Sequence, residues 1–121
     1  ILLSSMAYIG IAFAETEQET IDIDIKIAPA TLNLEFKGPW ITIHTDIPYN
    51  EVNSDTIELN GIPVFSTFAD DRGNLVAKFK SADVKAIVVP SEATLTLTGE
   101  TDVGGSFEGS DTIRVIDPPS K

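Results

Sequence analysis

His44 is the only histidine in the chain, and a search for acid–base chemistry begins there. An imidazole titrates near neutrality, but it moves protons in a reaction only beside a nucleophile or a carboxylate held in register with it. No serine stands in a G-x-S-x-G context, where a sharp strand-to-helix turn would expose its hydroxyl. No zinc-ligand spacing and no phosphate-binding glycine loop is present. His44 belongs to Trp40-Ile41-Thr42-Ile43-His44-Thr45-Asp46-Ile47. Strand alternation sets it with Trp40, Thr42 and Asp46 on the face opposite Ile41, Ile43 and Ile47. A lone histidine on an outward strand face is a solvated or cross-strand pairing residue. The many carboxylates fall on outward strand positions and turns, where nothing pairs a general acid with its base. The reading is of a protein that is not an enzyme, with no catalytic residue to name.

Trp40 offers a different chemistry. Aromatic rings on sandwich strands stack on sugar rings or anchor protein partners. Trp40, His44 and Tyr49 are expected to share one side near the strand's ends and form the candidate ligand-binding set. The competing and favoured role for Trp40 is packing, with its ring covering the open end of the fold after the Gly38-Pro39 turn.

The elements that position these residues follow a period of two. Ile21-Asp22-Ile23-Asp24-Ile25-Lys26-Ile27 alternates strictly and predicts a strand with its isoleucines on one face. Thr31 to Phe36 repeats the pattern after Pro29, and Trp40 to Ile47 is a longer strand ended by Pro48. Thr56 to Leu59 is followed by the Asn60-Gly61 turn and by a run from Ile62 to Phe68, whose Pro63 suggests an edge. Leu75 to Phe79, Ala93 to Gly99 and Asp111 to Ile116 complete the set. A link through Gly104-Gly105 joins the last two, and Ser106-Phe107-Glu108 extends their hairpin. Only Ser81 to Val88 has a helical period, with Ser81 as N-cap and Val84, Ile87 and Val88 on one side. The pattern predicts an all-β, immunoglobulin-like antiparallel sandwich of about seven or eight strands with one short helical turn. A small closed barrel is the alternative.

The beginning of the chain is of another kind. Ile1 to Ala14 is uncharged and mostly apolar, closes on Ala12-Phe13-Ala14, and meets the acidic Glu15-Thr16-Glu17-Gln18-Glu19. Small residues at the last and third-last positions fit the pockets of a signal peptidase. About 20 apolar residues are needed to cross a bilayer, more than this run provides. The domain reading is therefore a signal peptide over 1–14, an acidic leader over 15–20, one β-sandwich domain over 21–116, and a linker or terminus over 117–121. The expected mature chain starts near Glu15, is secreted or held at the cell surface, and contains no membrane span.

Composition narrows the partners. The chain has 121 residues, no cysteine, and a net charge of −11 from 19 acidic and 8 basic residues. An exported domain without disulfides is held by its core, a habit more typical of prokaryotic surface proteins than of animal secreted modules. A strongly acidic surface repels nucleic acid and anionic lipid, so neither is an expected partner.

Several segments together resemble a module that recurs in exported bacterial and archaeal proteins, often near the carboxyl end of longer surface polypeptides. They are Thr31-Leu32-Asn33-Leu34, Gly38-x-Trp40-Ile41-Thr42, Leu59-Asn60-Gly61, Val76-Ala77-Lys78-Phe79 and Leu95-Thr96-Leu97-Thr98-Gly99, running into Phe107-Glu108-Gly109-Ser110-Asp111-Thr112-Ile113-Arg114-Val115-Ile116. The resemblance covers about Ile27 to Ile116, and its closing segment is the most distinctive. It implies an immunoglobulin-like accessory domain with no assigned activity. Similar modules often carry a D-x-D-G-D-G loop just before the strand matching Leu75 to Phe79.

Here that loop is Ala69-Asp70-Asp71-Arg72-Gly73-Asn74, shorter and with an arginine among the acids. Calcium takes about six to eight oxygen ligands. Asp70, Asp71 and Asn74 are the candidate ligands, and Arg72 competes for the same carboxylates. The favoured alternative is a hairpin turn in which Asp and Asn bond to their own backbone and Gly73 takes positive φ. No cofactor is otherwise expected.

The function that follows is an exported, non-catalytic module serving as a structural spacer or interaction unit, with other domains or surface proteins as partners. One alternative is a carbohydrate-binding accessory module, with polysaccharide as partner. Another is a fibre subunit that lends Ile21 to Ile27 to the open sheet edge of a neighbour.

Overall fold

The structure, a computed structural model, describes residues 19–118. The leader 1–14, its cleavage boundary, most of the acidic leader and residues 119–121 lie outside the described residues. In chain order the elements are β1 (Thr20–Asp22), β2 (Ile25–Ala28), β3 (Thr31–Asn33), β4 (Trp40–Pro48), a 3₁₀ turn (Tyr49–Glu51), β5 (Val52–Leu59), β6 (Ile62–Pro63), β7 (Ser66–Ala69), β8 (Asn74–Lys80), α1 (Ser81–Lys85), β9 (Ser91–Thr101) and β10 (Ser106–Ile116).

These strands form the two sheets of a sandwich. One is four-stranded, in the order β2-β4-β8-β7; the other is six-stranded, in the order β1-β10-β9-β5-β6, with β3 also paired to β10. Alternation explains the core between them. Ile41 and Ile43 of β4, Leu75, Ala77 and Phe79 of β8, Leu95 and Leu97 of β9, and Phe107, Ile113 and Val115 of β10 all point inward and are buried. Because one face of each strand is apolar, a slip of register by one residue would turn the whole set to solvent.

The sandwich has more pieces than the sequence pattern implies, shorter at its edges and longer in β5, β8, β9 and β10. Ile21 to Ile27 is not one strand. Thr20–Asp22 pairs in parallel with β10, the chain then crosses the gap, and Ile25–Ala28 pairs antiparallel with β4 in the other sheet. Ile21 is consequently exposed, whereas Ile27 is buried and Ile23 and Ile25 pack at the rim of the core. The crossing works because Gly109 of β10 has no side chain: a Cβ there would lie 2.5 Å from the carbonyl oxygen of Ile23. Beyond the crossing, the Ile27 amide donates to an Asp111 carboxylate oxygen at 3.0 Å, tying the two sheets together at their shared edge.

Two further expectations are corrected in the same way. The Thr31 to Phe36 strand stops at Asn33, whose side-chain oxygen accepts from the Glu35 amide at 2.8 Å and starts a turn. The Ile62 to Phe68 run is split, with β6 at the edge of the six-stranded sheet and β7 at the edge of the four-stranded one. Pro63 does sit at an edge, where its missing amide proton breaks no ladder bond. The pairings of β1 and β3 with β10 are parallel rather than antiparallel.

The short helix is also placed differently. Ser81 is its first residue, not its N-cap, and the hydroxyl donates outward to the Gly38 carbonyl at 2.6 Å. Val84 and Val88 are buried, but Ile87 faces solvent. The Ser81 amide donates to the Pro39 carbonyl, and Lys85 Nζ donates to the Phe36 carbonyl at 2.8 Å. These bonds fasten the segment preceding Trp40 onto the helix. Among the described residues no helix is long and apolar enough to cross a membrane.

Candidate binding face

Pairing in the four-stranded sheet sorts its outward side chains into cross-strand rows. Lys26, His44, Val76 and Phe68 form one row, Ala28, Thr42, Lys78 and Ser66 the next, and Trp40 with Lys80 the last. None of these positions carries a carboxylate; Asp46, further along the outer side of β4, does, and it accepts from the Asp24 amide at 3.0 Å. Val76 is fully buried although it points outward, since it stands between His44 and Phe68 in a layer of larger side chains.

Trp40 is half-buried. Its ring meets that of Phe65, in the link between β6 and β7, with centroids 4.6 Å apart and planes inclined by 37°. Offset, tilted contact is the arrangement aromatic quadrupoles prefer. Phe65 and Phe68 are exposed by 54% and 44%, so a good part of this apolar area faces water. The ammonium of Lys78 lies 5.8 Å from the Trp40 ring centre and 5.7 Å from that of Phe68, and Lys80 lies 5.4 Å from Phe65. Cation–π attraction at such distances holds the lysines against the rings.

Beside Trp40, where the helix meets the turn before β4, an open cleft of about 430 Å³ is walled by Phe36, Pro39 and Trp40 and bordered by Lys37, Lys80 and Lys85. Phe65 does not line it but braces Trp40. The Gly38 site is crowded by the Phe36 ring, which keeps that ring at the cleft wall.

The sequence-predicted set divides. Trp40 and His44 do share the outer face of β4, and His44 is exposed there beside Lys26. Tyr49 does not join them. It follows Pro48 at the far end of the strand, in the 3₁₀ turn, where it packs against the rim of the core and its amide donates to the Gly73 carbonyl at 2.8 Å. A strand of this length separates its ends by tens of ångströms (about 3.3 Å per residue), so Trp40 and Tyr49 cannot contact one ligand ring together. Sequence reasoning passed over Phe65, Phe68, Lys78 and Lys80. Alternation in Leu75-Val76-Ala77-Lys78-Phe79-Lys80 does put Val76, Lys78 and Lys80 on one side, and the same rule pairs Phe68 with Ser66. The stacking of Phe65 on Trp40 joins a loop to the start of a distant strand and leaves no local signal.

The Asp70 loop closes the β7–β8 hairpin. One Asp70 carboxylate oxygen accepts from the Arg72 amide at 2.8 Å and from the Asn74 amide at 3.0 Å, while the Gly73 amide donates to the Asp70 carbonyl. The amide bonds from Asn74 and Arg72 hold the Asp70 carboxyl below its ordinary range, with smaller help from the charges of Arg72 and His44. Gly73 has φ of 84°, the left-handed conformation this turn requires. The Asp70 carboxylate is turned onto its own backbone donors, and among the described residues no group of three or more His, Cys, Asp or Glu side chains converges. The geometry is that of an Asx-type turn.

No protein-family model and no curated protein matches the chain. Among solved structures, it is similar to a tri-modular GH5 (subfamily 4) endo-β-1,4-glucanase from Bacillus licheniformis complexed with cellotetraose, with a TM-score of 0.41 and 18% identity. The match covers 80% of this chain and 19% of that one, so the chain spans about a fifth of that protein. The functional reading rests on the face itself.

Proposed function

We propose that this domain is a non-catalytic accessory module of an exported or cell-surface protein, and that it binds polysaccharide in the cleft walled by Trp40. The supporting observation is the cleft itself, an open groove of about 430 Å³ whose aromatic wall is braced from behind by Phe65. Sugar rings present faces of C–H groups that pack on an aromatic ring while their hydroxyls remain in water. A ring already fixed by packing loses little further freedom on binding, which favours Trp40 over a mobile side chain. A spacer alone gives no reason to leave phenylalanines in water beside such a groove.

The test is affinity electrophoresis in native gels cast with soluble polysaccharides of varied linkage and charge. At least one should retard the wild-type protein, and Trp40→Ala should abolish most of the retardation, because truncating a central aromatic anchor costs about 2 kcal/mol or more. No retardation by any polymer, or equal retardation of the variant, would refute the proposal. The export half is checked separately: mass spectrometry of protein secreted by a bacterial host should give an amino terminus near Glu15, whereas a folded, secreted product retaining Ile1 to Ala14 would contradict it.

A further inference from the structure

The cleft beside Trp40 has the opposite sign to the molecule. The chain carries −11 overall, with 19 acidic residues against 8 basic ones, yet Lys37, Lys80 and Lys85 border this groove and no Asp or Glu lines it. Glu35 and Asp83 are the carboxylates nearest in sequence, and neither belongs to the lining. Lys78 extends the positive stretch along the same sheet face, between the rings of Trp40 and Phe68. The six-stranded sheet is the reverse: its outer face holds a row of Asp22, Glu108, Thr98 and Glu58, beside hydroxyl pairs such as Thr94–Thr112 at 2.7 Å.

From this placement, and resting on the polysaccharide-binding reading above, we infer that the ligand is a polyuronate, a chain of sugar rings that each carry a carboxylate. The sugar ring stacks on Trp40, and its carboxylate takes hydrogen bonds from the ammonium groups of Lys37 and Lys80. Lys85 is already committed in part, since its Nζ donates to the Phe36 carbonyl at 2.8 Å and shapes the groove. Charge complementarity favours an anion over a neutral glycan, because lysines gathered beside an aromatic wall gain more from a carboxylate than from hydroxyls alone. It also favours a single carboxylate per ring over dense sulfation. At an ionic strength near physiological, charges beyond about 8 Å are screened, so a lightly charged chain meets the local lysines before the distant acids. A polymer with several charges per ring brings more of them up to the acidic remainder of the surface for each ring held at the cleft.

The experiment follows Trp40, the only tryptophan, by its fluorescence. The wild-type protein is titrated, in EDTA, with polygalacturonate, with the same polymer after methyl esterification, and with heparin as a sulfated anion. Polygalacturonate should change the emission and bind at least about fivefold more tightly than either of the others, with affinity falling as salt is raised. Lys37→Gln/Lys80→Gln should weaken that binding at least about fivefold. Lys26→Gln/Arg114→Gln, which removes the same charge away from the cleft, should not. Because the polymer comparison uses the unmodified protein, it stands even if a variant folds poorly. Equal binding of the esterified polymer, or tighter binding of heparin, would overturn the polyuronate assignment while leaving Trp40-dependent glycan binding intact. Failure of every polymer to bind, or binding that survives Trp40→Ala, would overturn both.

Discussion

Asp70 shows what a single carboxylate does in a tight turn. Its bonds to the Asn74 and Arg72 amides favour the charged form, so its carboxyl titrates below the ordinary value in the folded protein. The stabilisation this provides is fully present above the unfolded-state pKa, near pH 4, and is lost as pH falls through the lowered folded value. Asp70→Asn should therefore lower stability at neutral pH, and the gap between variant and wild type in denaturant melts should close as the solution is acidified below about pH 4. A gap that widens toward acid would contradict this account. Millimolar calcium should leave the wild-type melting temperature unchanged, because a ligand stabilises the folded state only as far as it binds there. A calcium shift abolished by Asp70→Asn would make the loop a metal site instead. The turn was legible in the sequence from Asp70, Gly73 and Asn74. The partners of Trp40 were not, since Phe65 reaches it from another part of the chain.

At the scale of elements, strict alternation located the strands but not the sheets to which they belong. The burial of Ile41, Ile43 and Ile47 and the exposure of His44 follow directly from the period-two pattern of β4. The segment Ile21 to Ile27 has an equally regular pattern, yet it switches sheets midway. Alternation records which side of a strand is apolar and carries nothing about which neighbour supplies the hydrogen bonds. The switch is encoded across the chain instead, in Gly109, which leaves room for the crossing, and in Asp111, which accepts the Ile27 amide. Within the described structure this segment satisfies β10 and β4 of its own chain, the pairing that strand exchange with a neighbour would have to break. Gly109→Ala should cost about 1–3 kcal/mol, because the added methyl group overlaps the Ile23 carbonyl and forces the crossing strand outward. Denaturant midpoints decide the matter. In an unobstructed strand the same change should help by about 0.5–1 kcal/mol, so a stabilised variant would show that the crossing does not press on this position.

The whole molecule is divided by charge as well as by layer. A sandwich has two outer faces, and here one carries a row of acids beside paired hydroxyls while the other, Asp46 apart, carries aromatic rings and lysines. Composition alone conceals this, because a net charge of −11 averages over both faces. The average repels anions from the molecule at large, but the local field at the cleft decides what the cleft holds. Sequence reading placed the fold class and the outward position of Trp40; the grouping of Lys37, Lys80 and Lys85 around that ring arises where the turn before β4, the end of β8 and α1 meet. The most direct test of this division is collisional quenching of Trp40 fluorescence by iodide and by caesium at matched ionic strength. The ratio of iodide to caesium quenching constants should exceed that of free N-acetyltryptophanamide measured under the same conditions, as it would beside a cluster of ammonium groups open to solvent. A ratio below that of the free compound, the pattern expected if the −11 charge governed every part of the surface, would contradict the account.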